Sequence, residues 1–249
     1  MKQINQPING SPLIKPLELE SPRPLWGPGI TQAVRAKRYV NSLVLSVFQD
    51  IDGKTMLQVG CGSGDTLVYL QESRDARYSG ITGHPEWVAP ASHKVLKANM
   101  QHAIRFFAAQ PTDDRSYRPF PNQDMVLLLD SIGPYGLSHL ASAAAALRPG
   151  GRFFLGGLFS ETLRNPAPGF LIAYPQLHEV LETAEKAGMV LLDQEDVSSM
   201  VKVDFTQKML GSLKARKNSQ DYQVQLNREA EMVKQKILGY HIVQWVKKA

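Results

Sequence analysis

Gly60, Gly62 and Gly64 stand at alternate positions directly after a short apolar run, Met56 to Val59. Glycine admits positive φ and leaves no Cβ between the backbone and a ligand, so such a turn can wrap a small group closely. An apolar helical pattern follows, with Leu67, Val68 and Leu70 on one side. Strand, glycine turn and helix start together predict helix N–H groups open to an anionic group. The spacing G-x-G-x-G differs from the G-x-G-x-x-G of dinucleotide sites. The side chains able to move a proton near predicted strand ends or loops are His84, Glu86, His139 and His178. They form no specific constellation; His84 and His139 are taken as the candidate catalytic bases. Asp130 closes a second, longer apolar run, Met125 to Leu129, and so faces whatever the glycine turn holds. The histidines are scattered without metal-ligand spacing, so no metal is expected. Neither a G-x-S-x-G elbow nor a G-x-x-x-x-G-K-[ST] loop occurs.

The elements that must position these residues are read from periodicity. Apolar residues recur at helical spacing from Ala33 to Val47, with Thr31 as the expected N-cap. Short strands are expected at 77–82, 104–110 and 124–130, the last buried on both faces because its apolar run is continuous. Pro85 opens a helix near its first turn. An alanine-rich helix, His139 to Leu147, leads into Leu147-Arg148-Pro149-Gly150-Gly151, a tight turn aiming the next strand. A loop from Phe159 to Pro175 carries Arg164, Asn165, Pro166 and Pro168, and Phe170, Ile172 and Tyr174 there are candidates to shape an acceptor pocket. Helix 177–187, strand 189–193, a mostly helical stretch 205–238 and an alternating strand 239–245 finish the chain. Helices and strands in this order predict one doubly wound, Rossmann-like α/β domain. Its sheet has seven mostly parallel strands with the last antiparallel, and a helical cover lies at the N-terminal side.

Residues 1–28 are set apart. They hold six prolines and no helical or strand period, and read as an extended arm before a domain spanning 29–249. Trp26 is its expected anchor. With 249 residues, the chain suits one domain with a sizeable core. No apolar run approaches the roughly 18 residues that span a bilayer, and residues 1–10 lack a signal-peptide core. The single cysteine, Cys61, excludes an intrachain disulfide and suits a reducing cytoplasm. Inside the glycine turn it reads as a small filler. The net charge of +5 is local: residues 202–249 hold ten Lys or Arg against four Asp or Glu. That segment reads as a solvated amphipathic helix with a basic face, ahead of a nucleic-acid or anionic-substrate surface.

The turn Gly60-Cys61-Gly62-Ser63-Gly64 resembles the first motif of class I S-adenosylmethionine (SAM) methyltransferases. Gly80-Ile81-Thr82 with Pro85 resembles the G-I-T-x-S-P segment of the branch with cyclopropane fatty-acid synthases, tocopherol methyltransferases and natural-product methyltransferases. Leu147 to Gly151 matches the L-R-P-G-G turn into that family's fifth strand. The likeness covers about residues 30–249. It implies SAM as cofactor, with Gly60, Gly62 and Gly64 at its methionine end, Gln58 supporting that turn, Thr82 and Gly83 at the ribose, Gln110 at the adenine, and Asp130 at the methionine amine or the acceptor. A helix before the first strand commonly covers the cofactor in this family, which makes Tyr39 a candidate lid residue; a core-facing aromatic fits Tyr39 equally. Tyr135 and Tyr174 join it as candidate substrate residues. The family's acidic residues are replaced by Gln58, Thr82 and Gln110, each still able to make a hydrogen bond but without charge assistance. The amino-methyltransferase phrase of Asn or Asp, Pro-Pro and an aromatic is absent after Asp130, which argues against nucleic acid. The implied function is methyl transfer to a small, partly apolar acceptor, as in natural-product biosynthesis. The alternative is the same fold repurposed as a non-methylating cyclase, isomerase or binding protein.

Overall fold

The apolar runs become strands and the amphipathic segments cover them. A computed structural model describes residues 23–161, 174–201 and 219–249. The elements are Ala33–Val47 (α1), Thr55–Val59 (β1), Asp65–Ser73 (α2), Arg77–Thr82 (β2), Pro85–Lys97 (α3), Ile104–Ala108 (β3), Gln123–Leu129 (β4), Ile132–Tyr135 (α4), Ser138–Ala145 (α5), Leu147–Ser160 (β5), Leu177–Lys186 (α6), Met189–Asp196 (β6), Ser219–Lys234 (α7) and Leu238–Lys247 (β7). The strands form one seven-stranded sheet in the order β3-β2-β1-β4-β5-β7-β6. β1 to β5 pair in parallel, and β7 runs antiparallel to both β5 and β6.

β1 and β4 are central because they can be: Met56, Leu57, Val59 and Met125 to Leu129 are all buried. Each such side chain removed from water is worth about 1.5–3 kcal/mol. Alternate residues feed opposite faces. On one face Met56, Met125, Leu127 and Tyr240 meet Val40 and Val44 of α1, Leu67 and Leu70 of α2, Val95 of α3 and Met232 of α7. On the other, Leu57, Val59, Val126, Leu128 and Trp245 meet Leu140, Ala143 and Ala144 of α5 with Val180 and Ala184 of α6. β1 and β4 are neighbours whose connections leave in opposite directions along the sheet. Their carboxyl ends therefore flank the crevice where doubly wound sheets bind ligands.

Several boundaries differ from those expected. α1 takes Gln32 as its N-cap, without a side-chain cap bond, in place of Thr31. β3 stops at Ala108, so Gln110 lies in the following loop. β4 stops at Leu129, and Asp130 lies just past it with φ 52°. β5 is longer than its apolar core and runs on through Gly156 and Gly157 to Ser160. The C-terminal helix is amphipathic: Gln225, Leu226, Arg228, Glu229, Ala230, Met232 and Val233 of α7 are buried, and Lys234 at its end is exposed. β6 forms one edge of the sheet and is exposed after Met189. Its register against β7 slips between Leu191 and Asp193. Phe170, Ile172, Arg164, Asn165, Pro166 and Pro168 lie outside the described residues, as does the expected helix from Phe205 to Lys217. Among the described residues, no helix is long and apolar enough to cross a membrane.

Candidate functional site

The glycine turn is held by backbone geometry that side chains disfavour. Gly60, Gly62 and Gly64 take φ values of 71°, 52° and 78°. The amides of Gly60 and Cys61 both donate to the Ile81 carbonyl, at 2.9 and 3.0 Å, which pins the turn to the end of β2. A Cβ on Gly60 would lie 2.7 Å from Ser131 Cβ, and one on Gly64 would lie 2.3 Å from Phe106 Cζ. Cys61 is buried against Gly80, as a small filler would be. Gly64 caps α2 without any side-chain bond to the helix amides. Lys94 of α3 donates to the Ser63 carbonyl at 3.0 Å and pairs with Asp65, so the turn is tied from outside as well. Gln58 is buried beneath it, and among the described residues its Oε1 has no hydrogen-bond partner; the same holds for Thr66 Oγ1 in the first turn of α2. Each orphaned polar atom costs about 1–3 kcal/mol unless a donor reaches it. A ligand with an anionic end and hydrogen-bond donors fits such a turn.

Beyond β2, four residues from the sequence reading come together. Thr82 is buried and its hydroxyl accepts from the His84 amide at 3.2 Å. Gln110 is exposed, and its Nε2 donates to the Gly83 carbonyl at 3.5 Å. A Cβ on Gly83 would meet Tyr135 Oη at 2.5 Å and Gln110 Oε1 at 3.5 Å. Tyr135, expected on the acceptor side, thus stands with the residues expected to frame the cofactor. His84 stacks on Trp87 with ring centroids 4.2 Å apart, and its Nδ1 lies 3.0 Å from Glu86 Oε1. The Glu86 carboxyl is held below its ordinary range by its own amide and by His84.

His139 lies at the other extreme of exposure. It is fully buried, its Nδ1 donates to the Gly136 carbonyl at 2.6 Å, and its Nε2 sits 3.3 Å from Ser131 Oγ. Both ring nitrogens are spent within the protein, so the imidazole positions Ser131 and the loop after β4. Burial lowers its pKa from 6.5 to about 4. Its folded value lies below its unfolded one, so the unfolded chain binds more protons across that interval, and stability falls as pH drops from about 6.5 towards about 4. The loss attached to this group is about 3 kcal/mol. Thermal unfolding between pH 4 and 7 should show that slope, and His139→Leu should flatten it; an unchanged slope would contradict the assignment.

Asp130 is the centre of a buried polar group that sequence reading did not find. Arg23, from the segment before α1, donates its backbone amide to Asp130 Oδ2 at 2.7 Å and brings its Nε within 3.5 Å of Oδ1. The Arg23 guanidinium also pairs with Glu229 of α7. The Tyr174 hydroxyl donates to Glu229, and Gln225 Nε2 donates to it at 2.8 Å. Burial works against the Arg23 charge, but Glu229 and Asp130 outweigh it and hold the guanidinium above its ordinary pKa. Burial pushes the Asp130 carboxyl up despite Arg23. The Tyr174 hydroxyl is pushed up by burial and then by Glu229. Asp130 holds positive φ, a conformation costing about 1–3 kcal/mol for a side-chain-bearing residue. The Tyr174 ring also fills the space over Gly133, where a Cβ would lie 2.5 Å from Cε1.

The remaining candidates lie further out. Tyr39 is half-buried in α1, its ring against Gly27, where a Cβ would come within 2.4 Å of Cζ. Trp26 is half-buried and its amide donates to the Met200 carbonyl at 2.8 Å. His178 lines a cavity with Met189 and Trp245, at the opposite edge of the sheet from the glycine turn. At the turn's own edge, a cavity of about 800 Å³ opens beyond the ends of β5 and β6 and the start of β7, lined by Glu161, Asp196, Ser198, Val233, Lys236 and Gly239 among others. Glu161 Oε1 lies 2.7 Å from His241 Nε2 there. Among the described residues, no group of His, Cys, Asp and Glu is arranged to hold a metal ion.

A seven-stranded sheet of this order, with a glycine turn after β1, is the Rossmann-like fold of the class I methyltransferases. The chain is 27% identical over 169 residues to 27-O-demethylrifamycin SV methyltransferase of Amycolatopsis mediterranei, a match covering 62% of this chain and 60% of that one. Among solved structures, it is similar to the [4+2]-cyclase SpnF (TM-score 0.73, 21% identity, 91% of this chain and 87% of that one). A Galdieria sulphuraria protein described as a putative sarcosine dimethylglycine methyltransferase superposes with a TM-score of 0.76 at 14% identity, over 92% and 93% of the two chains. No protein-family profile matches the chain.

Arg23 and Glu229 were missed for physical reasons. Arg23 sits between two prolines in a segment without period. Glu229 sits in a helix of mixed charge, where the apolar Leu226, Ala230, Met232 and Val233 were the available sign of a buried face.

Proposed function

We propose that the chain is a SAM-dependent methyltransferase acting on a small, partly apolar acceptor, of the kind built in natural-product biosynthesis. The observation that carries the reading is the glycine turn, with three positive-φ glycines between β1 and an α2 start that lacks a side-chain cap. In this reading Gly60, Gly62 and Gly64 hold the methionine end, helped by the orphaned Gln58 oxygen. Gly83, Gln110 and Tyr135 frame the adenosine, and Thr82 shapes that wall. SAM supplies an electrophilic methyl on a sulfonium; the protein's part is to hold and orient both partners and to exclude water. The acceptor enters from the side of the 800 Å³ cavity at the β5–β7 edge. His84, partly exposed and paired with Glu86, stands after β2 on the adenosine side, with β1 and β4 between it and that entry, so no base role is assigned to it. The relative named above is a methyltransferase of 27-O-demethylrifamycin SV, which makes that compound the first acceptor to try.

The non-methylating alternative has one specific observation in its favour. The three uncharged replacements weaken charge-assisted contacts, and the Thr82 hydroxyl is already engaged by the His84 amide. Calorimetric titration with SAM and with S-adenosylhomocysteine (SAH) is the test, followed by transfer of labelled methyl to hydroxylated small molecules, 27-O-demethylrifamycin SV first. Micromolar binding of both ligands and label in an acceptor are expected. No binding at millimolar cofactor would sink the reading; binding without transfer to any acceptor would favour the repurposed fold.

A further inference from the structure

We infer that Tyr135 is a bar across the cofactor crevice: its phenol reaches from the loop after β4 to the loop after β2, over the glycine turn, and SAM or SAH passes only when the ring swings aside. The inference rests on the cofactor reading above.

The strand order sets the span. β2 and β4 both pair with β1, one on each side. Their carboxyl ends therefore stand two strand spacings apart, about 9–10 Å, with the glycine turn between them. The turn itself fills the first level of that gap. Gly60 abuts Ser131 just past the end of β4, and the Gly60 and Cys61 amides bond to the Ile81 carbonyl of β2. Tyr135 lies further along its loop than Ser131, and Gly83 lies beyond Ile81. Tyr135 Oη nevertheless stands 2.5 Å from where a Cβ of Gly83 would be, and the same point lies 3.5 Å from Gln110 Oε1. The side chain has crossed from one lip of the crevice to the other, past the turn.

The ring is backed at its root and has room at its tip. It meets His139 edge-on, with centroids 5.6 Å apart and planes at 66°. His139 is fully buried and engaged at both nitrogens, so that support is fixed. Tyr135 is half-buried and Gln110 exposed, so the phenol has solvent to swing into. The motion needs only side-chain torsions. In the cofactor reading, the turn and the pair of Gly83 and Gln110 hold opposite ends of one molecule, and the phenol passes over the first and ends on the second. A bar that shuts over the crevice scales entry and exit by the same fraction of time spent open. A mere contact, when lost, speeds exit alone.

The experiment measures association by rapid mixing, and release by chase of labelled ligand, for SAM and SAH with the full chain as wild type, Tyr135→Phe and Tyr135→Ala. An open state populated at about 10% or less means that Tyr135→Ala raises both rates about tenfold for both ligands, while their ratio changes by under about threefold. Tyr135→Phe keeps the ring on His139 and loses the hydroxyl against Gly83; it should raise association about threefold, and it decides by itself if the alanine variant does not fold. Association no faster in the variants than in the wild type would overturn the inference and leave Tyr135 an ordinary contact. Failure of SAM and SAH to bind the wild type at millimolar concentration would remove the cofactor reading; binding with unchanged association would remove this inference alone.

Discussion

Arg23→Met is expected to lower the unfolding temperature by about 6–20 °C. The guanidinium lies against two buried carboxyl groups, one on the β4 loop and one on α7, so its loss removes the positive partner of both. Breaking a buried pair from one side costs about 3–5 kcal/mol, and each kcal/mol moves the midpoint of a domain this size by about 2–4 °C. The deficit should narrow in acid. Burial already raises the Asp130 carboxyl, and without Arg23 it rises further, so the folded variant binds more protons than the unfolded chain and gains stability as pH falls. Removing all three charges together, as Arg23→Met with Asp130→Asn and Glu229→Gln, should recover most of the loss, and asparagine tolerates the positive φ at position 130. Calorimetric scans of the two variants check this. A single variant melting within about 2 °C of the wild type would show that the ion pairs hold nothing together.

Gly60→Ala carries the second large effect, and it falls on binding. The added methyl meets Ser131 Cβ at 2.7 Å, and the backbone sits at φ 71°. The dihedral alone costs about 1–2 kcal/mol. The contact has no flexible end to yield, so the loop after β4 must shift and carry Ser131 and His139 with it. A loss of about 100-fold in SAM affinity is expected, since displacing the turn removes contacts worth about 2.7 kcal/mol. Gly53→Ala is the control. It shares the positive φ of 74° but would meet nothing within 4 Å, and it lies before β1. It should lose stability by the dihedral cost alone and bind SAM as the wild type does. If both variants bind alike, the turn is not a ligand site.

The sheet was legible because its centre obeys simple rules. The short apolar run of β1, broken by Gln58, and the longer run of β4 are strands buried on both faces; the glycines after β1 mark where the chain turns, and Arg148-Pro149-Gly150, expected as a turn, is an irregularity inside the start of β5. What was misjudged lies where one rule yields to another. β6 continues through Asp193 to Asp196 because an edge strand tolerates charge, so its polar end looked like a loop. β5 runs past Gly156 and Gly157 because β4 and β7 pair with it on both sides, which offsets the weak strand preference of glycine. The candidate site was legible in its backbone half, the glycine turn and the three loops after β2, β3 and β4 that carry Gly83, Gln110 and Asp130. Its charged half was not, because Arg23 and Glu229 are separated by 206 positions and meet only through tertiary packing. His139 was placed near the right loop, but sequence does not reveal that both nitrogens are occupied.

The slipped register of β6 has a consequence for how copies of the chain keep apart. An edge strand offers unpaired amides and carbonyls to any other strand, and Val190, Leu191 and Leu192 are 42%, 47% and 54% exposed beside that open ladder. Such an edge invites sheet-to-sheet addition between molecules. Here the slip between Leu191 and Asp193 bends the ladder just after the apolar residues, and Asp193, Glu195 and Asp196 line what remains. A second copy laid antiparallel along this edge would find an irregular partner and its own negative charges facing it. The polar end of β6, which made the strand hard to see in the sequence, guards the molecule against polymerising through its own sheet.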